Sequence, residues 1–314
     1  MNLLASMRYL AALDEHRHFG RAAQACHITQ PALSNALRAL ESEFGVVIVK
    51  RGRTYAGLTH EGEAVLASAH RMLREHELLQ QVLKSDIDHP RGALRMAAVP
   101  TAIPMLALFA ARLQARHAGI VPTVLSMSSL EIETGLENLS LDIALGYTER
   151  MNPREVKLNA WPQSIEHYFL VRRATDARAD RLRIGTPIGW AEAAALPMCL
   201  LTPEMHNRTI VEQAFRSVGA VVSPAIETNS VLALALAVAH GEVCAVLPGA
   251  MVDAIRSHRE LEALPLVSPE LLTPIGFMTQ AAVRPSRALE AALSLMQEPA
   301  WQDEAATRSG SLAM

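Results

Sequence analysis

The chain of 314 residues is short of three things: aromatic side chains, at 4%, cysteines, of which there are three, and any bulk excess of positive charge. Each shortage excludes something. Cys26, Cys199 and Cys244 lie far apart, and no spacing among them fits a metal site or a local disulfide pair. The longest apolar run, Val231–Ala239, holds nine residues, about half of what a membrane span needs. Charges interrupt Met1–Arg21 repeatedly, which is not the pattern of a secretory signal. A soluble cytoplasmic protein is expected. With half of its residues hydrophobic and so few of them aromatic, the cores must be aliphatic and alanine-rich, and the length suits two or three domains.

Catalytic signatures are missing as well. Twelve histidines are present, yet none forms a metal-ligand pair on a helix face, and there is no GxSxG and no phosphate loop. Glu131 and Glu133 are alternate residues on an expected helix and point apart. No enzymatic activity, no metal and no cofactor is expected.

What is present is concentrated between Phe19 and Glu41. A small, alanine-rich helical stretch, Arg21–Cys26, is followed by a tight turn and a second helical pattern opening on Thr29-Gln30-Pro31. A cap-type residue followed by proline in the first turn is a favoured helix start. Leu33, Leu37 and Leu40 then share one face, while Gln30, Ser34, Asn35 and Arg38 occupy the other. One face closes a three-helix core and the other offers side chains able to reach base edges, the layout of a helix-turn-helix.

These residues resemble the N-terminal domain of the LysR-type transcriptional regulators. The resemblance rests on Ala22-Ala23, Gln30-Pro31-Ala32-Leu33-Ser34 and Leu40-Glu41, continued by Gly45, Arg51, Leu58-Thr59 and Gly62 at the wing and the start of a linker helix. Two departures stand out. His18 replaces the usual serine before Phe19 and reads as the loss of a cap or phosphate contact, and Ile48-Val49 replaces Leu-Phe while staying apolar. The resemblance implies a winged helix-turn-helix followed by a two-lobed, periplasmic-binding-protein-like α/β effector module. The implied protein is a sequence-specific, double-stranded-DNA-binding transcription regulator controlled by a small-molecule effector, and the family usually works as a tetramer built from two dimers.

Net charge is −3, and residues 1–70 carry seven Lys+Arg against six Asp+Glu. DNA affinity must come from placement rather than bulk charge, and phosphate neutralisation by a few cations makes binding salt-dependent. Gln30, Ser34 and Arg38 are assigned to base edges, and Arg21, Lys50, Arg51 and Arg53 to phosphates. Lys50-Arg51-Gly52-Arg53 also reads as a solvated turn.

The organisation expected along the chain is a DNA-binding domain over 1–59, a linker and dimerisation helix over 60–85, and a hinge over 86–92. A first lobe covers 93–165 and 266–298, a second covers 166–265, and a loose tail covers 299–314. On the linker helix, Val65, Ala69, Met72, His76, Leu79 and Leu83 alternate steps of four and three, a coiled-coil seam that implies a dimer. Beyond the hinge, strands alternate with helices, as in parallel sheets covered by helices. In such sheets ligands bind beyond the carboxyl ends of strands, near helix starts that favour anions. Thr101, Ser128, Ser129, Thr202 and His167 are therefore the effector candidates, with a small carboxylate or similar anion as ligand. Serine and threonine also cap helices without binding anything. Two alternatives remain open: a redox response through Cys199 or Cys244, and control by a protein partner.

Overall fold

The first three helices each begin on a side chain that caps them. In a computed structural model of the chain, Asn2 Oδ1 accepts from Ala5 N at 3.1 Å at the start of α1 (Leu3–His16). His18 Nδ1 accepts from Gly20 N at 3.1 Å and Arg21 N at 3.3 Å at the start of α2 (Phe19–Ala25). Thr29 Oγ1 accepts from Ala32 N at 3.4 Å at the start of α3 (Gln30–Phe44). The expectation that His18 costs a cap is thus corrected: the imidazole nitrogen takes the acceptor role that serine oxygen usually fills. The structure describes residues 2–50, 52, 55–84, 89–150, 158–174, 180–281 and 284–310.

These residues divide between two compact units, residues 1–86 with 138–140, and residues 87–137 with 141–314. In the first, Met7, Leu10, Leu13, Ala22, Ala23, Leu33, Leu37 and Leu40 close the three-helix core. Wing and core are tied by the residues of the sequence signature. Glu41 Oε1 accepts from Ile48 N at 2.8 Å and Val49 N at 3.1 Å, while Val49 and Leu58 form an antiparallel bridge. Thr59 Oγ1 donates to Val47 O and accepts from Gly62 N at 2.9 Å. A Cβ on Gly62 would meet Ile48 O at 2.2 Å, so only glycine fits where α4 (His60–Lys84) starts.

Helix α4 has two apolar aspects. Leu66 and Ala69 are buried in the helix-turn-helix core, which removes Ala69 from the seam read in the sequence. Met72, Leu79 and Leu83 remain 44%, 58% and 75% exposed in the single chain, an uncovered stripe along the same helix.

The second unit begins with β1 (Gly92–Ala98), α5 (Ile103–Arg116), β2 (Ile120–Ser126), α6 (Ser129–Glu137) and β3 (Ile143–Tyr147). It continues through β4 (Leu158–Arg173), β5 (Arg183–Ile184), β6 (Ile188–Gly189), α7 (Trp190–Ala193), β7 (Cys199–Leu201) and α8 (His206–Ser217). There follow β8 (Ile226–Thr228), α9 (Val231–His240), β9 (Ala245–Pro248), α10 (Gly249–Ala254) and β10 (Leu261–Val267). The last elements are β11 (Leu272–Gln280), α11 (Arg287–Met296) and α12 (Pro299–Arg308). Parallel pairing joins β2, β1 and β3, and joins β7 to β8, as the alternating pattern predicts.

The strands that connect the two lobes are antiparallel instead. Along β4, Leu158–His167 pairs with β11, after which Tyr168–Val171 pairs with β9 and Phe169–Arg173 with β10. One 16-residue strand therefore serves both lobes. Leu266 and Val267, expected to open the return to the first lobe, lie instead in β10, which pairs with β4, β5 and β6, and the return comes with β11.

The tail also departs from expectation. Residues 299–308 form α12, with Trp301 only 1% exposed and Ala305 fully buried. The cysteines, separated by 45 positions in the chain, are neighbours in space. Cys199 N donates to Cys244 O at 2.7 Å. Their side chains nevertheless enter different cores, Cys244 with Met198 and Cys199 with Ala245, because the two strands present them to opposite sheet faces.

Candidate functional sites

The uncovered face of α3 carries the residues assigned to base edges. Burying Leu33, Leu37 and Leu40 turns the opposite side outward, so Gln30, Asn35 and Arg38 are exposed and Ser34 is half-buried. Arg38 donates to Asn35 Oδ1 at 3.3 Å, one turn back, a contact at the edge of hydrogen-bonding range on an exposed surface. Arg21 is exposed on α2 and donates to His16 O at 3.0 Å, and Lys50 is exposed on the wing. Arg51 and Arg53 lie outside the described residues.

The second site lies where the two lobes meet. Three helix starts converge there: α5, preceded by the turn Pro100–Ala102; α6, starting at Ser129; and α8, starting at His206. Between them is a cavity of about 10 Å³, the size of one water, bordered by Thr101, Ser128, Ser129, Tyr147, His206 and Asn207. Among the described residues, no lysine or arginine lines it. Positive helix ends and neutral donors supply its polarity.

Hydrogen bonds cross the junction. Tyr147 OH lies 3.0 Å from Thr101 Oγ1 and accepts from Asn207 Nδ2 at 3.3 Å. The His206 ring stands edge-on to Tyr147 at 5.0 Å, with its Nε2 3.6 Å from Glu149 Oε1. Burial pushes the Tyr147 phenol up to about 12, so it stays a neutral donor and acceptor. Ser129 Oγ is buried without a hydrogen-bond partner among the described residues. Ser128 is already engaged, since its N–H and hydroxyl both donate to Glu131 Oε2 at 2.8 Å.

Of the five effector candidates, the structure brings together Thr101, Ser128 and Ser129. Thr202 does not line the cavity; its hydroxyl donates to Glu204 Oε1 at 2.7 Å, although the adjacent Leu201 is in the wall. His167 is a correction. Its Nδ1 lies 3.3 Å from Glu270 Oε1 and its N–H donates to Ser309 O, at the crossing of β4 rather than at the cavity. Arg208 is spent on structure, donating to Leu201 O, Glu212 and Glu227. Tyr147 and Asn207 are the residues missed. The strand-end rule points to Tyr147 as the last residue of β3, but the sequence pattern ends that strand at Gly146.

Behind the cavity sits Glu166, 4% exposed, whose Oε2 accepts from Ala250 N at 3.1 Å. Burial pushes its carboxyl up to about 8, against the backbone hydrogen bonds that favour the charged form. Burial also raises the thiols of Cys199 and Cys244, so neither is a ready thiolate.

A family model described as "Bacterial regulatory helix-turn-helix protein, lysR family" matches residues 4–63, and one described as "LysR substrate binding domain" matches residues 88–300. The "DNA-binding transcriptional dual regulator OxyR" of Escherichia coli is 37% identical over 103 residues, 33% of this chain and 34% of that protein. The match thus spans about a third of the relative's length. Among solved structures, full-length OxyR of Pseudomonas aeruginosa superposes with a TM-score of 0.68 at 21% identity, covering 95% of this chain and 98% of that one. Full-length CbnR in complex with its target DNA gives 0.64 at 20% identity, covering 96% and 99%.

Proposed function

We propose, from the premise that this chain belongs to the LysR family of bacterial helix-turn-helix regulators, that it reads promoter DNA with α3 and is controlled by a small anion held at the lobe junction. Gln30, Ser34 and Arg38 approach base edges in the major groove, with Arg38 suited to guanine, and Arg21, Lys50, Arg51 and Arg53 contact phosphates. The exposed polar face of α3, opposite Leu33, Leu37 and Leu40, supports this division. Arg38→Ala should relax sequence preference. Lys50→Ala should weaken all sequences alike and flatten the salt slope by about one unit. Equal behaviour of the two variants in salt-titrated binding to promoter and random duplex would remove the division.

The observation that carries the effector reading is Ser129 Oγ, a buried hydroxyl without a hydrogen-bond partner among the described residues, beside Thr101, Tyr147, Asn207 and three helix starts. A buried hydroxyl of this kind is satisfied when a polar ligand enters. The cavity as it stands has room for one water, so a short carboxylate or other anion of few heavy atoms enters as the lobes part around it. Ligand preference for one lobe arrangement over the other would shift how the DNA-reading domains are spaced.

The uncovered stripe Met72, Leu79 and Leu83 supports a dimer through α4, and the family pattern extends this to a tetramer. No helix among the described residues is long and apolar enough to cross a membrane. A "Hydrogen peroxide-inducible genes activator" of Escherichia coli also matches at 37% identity over 103 residues, and peroxide control is not carried over from it. The similarity covers only 103 residues, and Cys199 and Cys244 are buried with raised thiols.

A further inference from the structure

Helix α12 is fastened at its two ends to different lobes. On the first-lobe side, Trp301 is 1% exposed and stacks edge-on against Phe109 of α5, with ring centroids 5.0 Å apart. The Arg112 guanidinium lies 5.7 Å from the Trp301 ring centroid and pairs with Glu304, and Arg116 pairs with Glu298. Trp301 Nε1 donates to Gln163 Oε1 at 2.8 Å, on the half of β4 that pairs with β11. These contacts join an aromatic packing surface to charge-assisted hydrogen bonds on one wall.

The other end seats on the second lobe. Arg308 donates to Asp253 Oδ2 at 2.5 Å on α10, while also contacting Glu304 on its own helix. Asp253 is shared with Arg256. Ser309 O accepts from His167 N at 3.1 Å, where β4 changes partners. Two glycines allow the backbones to meet there. A Cβ on Gly249 would come within 2.3 Å of Ser309 backbone atoms, and Gly310 holds φ +115 with its Cβ position 2.9 Å from His167 Cβ. Glu166 fixes the same corner by accepting from Ala250 N.

We propose that α12 is a strap across the lobe junction that sets the angle between the two lobes, anchored by Trp301 on one side and by Arg308–Asp253 on the other. The covalent crossings, β4 and the connection from β10 to β11, leave a hinge free to bend. A helix whose two ends grip opposite lobes restricts that bend without touching the cavity. This does not depend on what the cavity binds.

The test uses full-length protein spin-labelled at cysteines introduced at Gln114 on α5 and Gln213 on α8, both exposed, in a Cys26→Ser background. Labelled chains are diluted in unlabelled protein, so that pulsed electron resonance reads distances within one chain. The unaltered strap should give a single narrow distribution. Arg308→Ala and Asp253→Asn should each add a second population at different distance, and Arg308→Lys should restore the single one. Arg216→Ala, which breaks a pair confined to α8, should change nothing. Asp253→Asn keeps the side-chain size and serves if Arg308→Ala does not fold. Wild-type distributions in the folded Arg308→Ala or Asp253→Asn protein would overturn the strap.

Discussion

Asn207 Nδ2 reaches from the first turn of α8 to the Tyr147 hydroxyl at the end of β3, 3.3 Å away, and so joins the two lobes through one phenol. Thr101 completes the group at 3.0 Å. Tyr147→Phe leaves both partners buried and short of a hydrogen bond, at a cost of about 1–3 kcal/mol. Asn207→Ala should cost less, about 1 kcal/mol, because the Thr101 contact survives. Urea unfolding of each single variant and of the pair should show non-additivity, as expected for side chains in one network. Additive losses would mean that the three groups do not act together.

Glu166 gives the effector module a pH dependence of defined sign. Its folded pKa, about 8, is above the ordinary carboxyl value, so the folded state holds the proton more tightly than the unfolded chain does. The stabilisation is complete below about 4.5 and is lost as pH rises toward 8, by up to about 1.4 kcal/mol per pH unit, and the curve is level above that. Glu166→Gln should flatten this slope in urea unfolding measured between pH 5 and 9. An unchanged slope would assign the dependence to other groups.

His18 holds the start of α2 through one ring nitrogen, with Gly20 and Arg21 as donors. His18→Ala should cost about 1 kcal/mol of local stability, and His18→Ser should keep most of it. Hydrogen exchange at the Gly20 and Arg21 amides is the readout, faster in the alanine variant and near normal in the serine one.

Leu79 and Leu83, more than half exposed in the single chain, should be the contacts a partner copy covers. Leu79→Glu combined with Leu83→Glu should shift sedimentation toward monomer and reduce promoter affinity, since two half-sites are then no longer bound together. Unaltered assembly would move the dimer contact elsewhere.

Much of this is legible in the sequence. The helix-turn-helix was legible because its cap residue, leucine spacing and glycines are local signals, and α5 and α9 match their apolar patterns. Strand β4 is legible only in its second half, where FLV (Phe169–Val171) forms an apolar run. Its first half, LNAWPQSIEH, contains Pro162 and several polar residues, and pairing with β11 makes it a strand despite weak local preference. The helix α12 went unseen because a single buried tryptophan with Ala305 gives little periodicity. Thr101 and Ser129 were found by the strand-end rule. Which serines and threonines face one another is decided by the meeting of the lobes, and that left Tyr147 and Asn207 hidden.

The central claim is that a small anion occupies the junction between Thr101 and Ser129. Its most direct test is a thermal-shift titration of the full-length protein with formate, acetate, glyoxylate, nitrate and phosphate, repeated on Thr101→Val and Ser129→Ala. A bound anion at a hundred times its dissociation constant should add about 2.7 kcal/mol of stability. The account predicts a concentration-dependent rise with at least one of these anions that both variants abolish. A flat response from protein that still binds promoter DNA, or a rise that survives both substitutions, would contradict it.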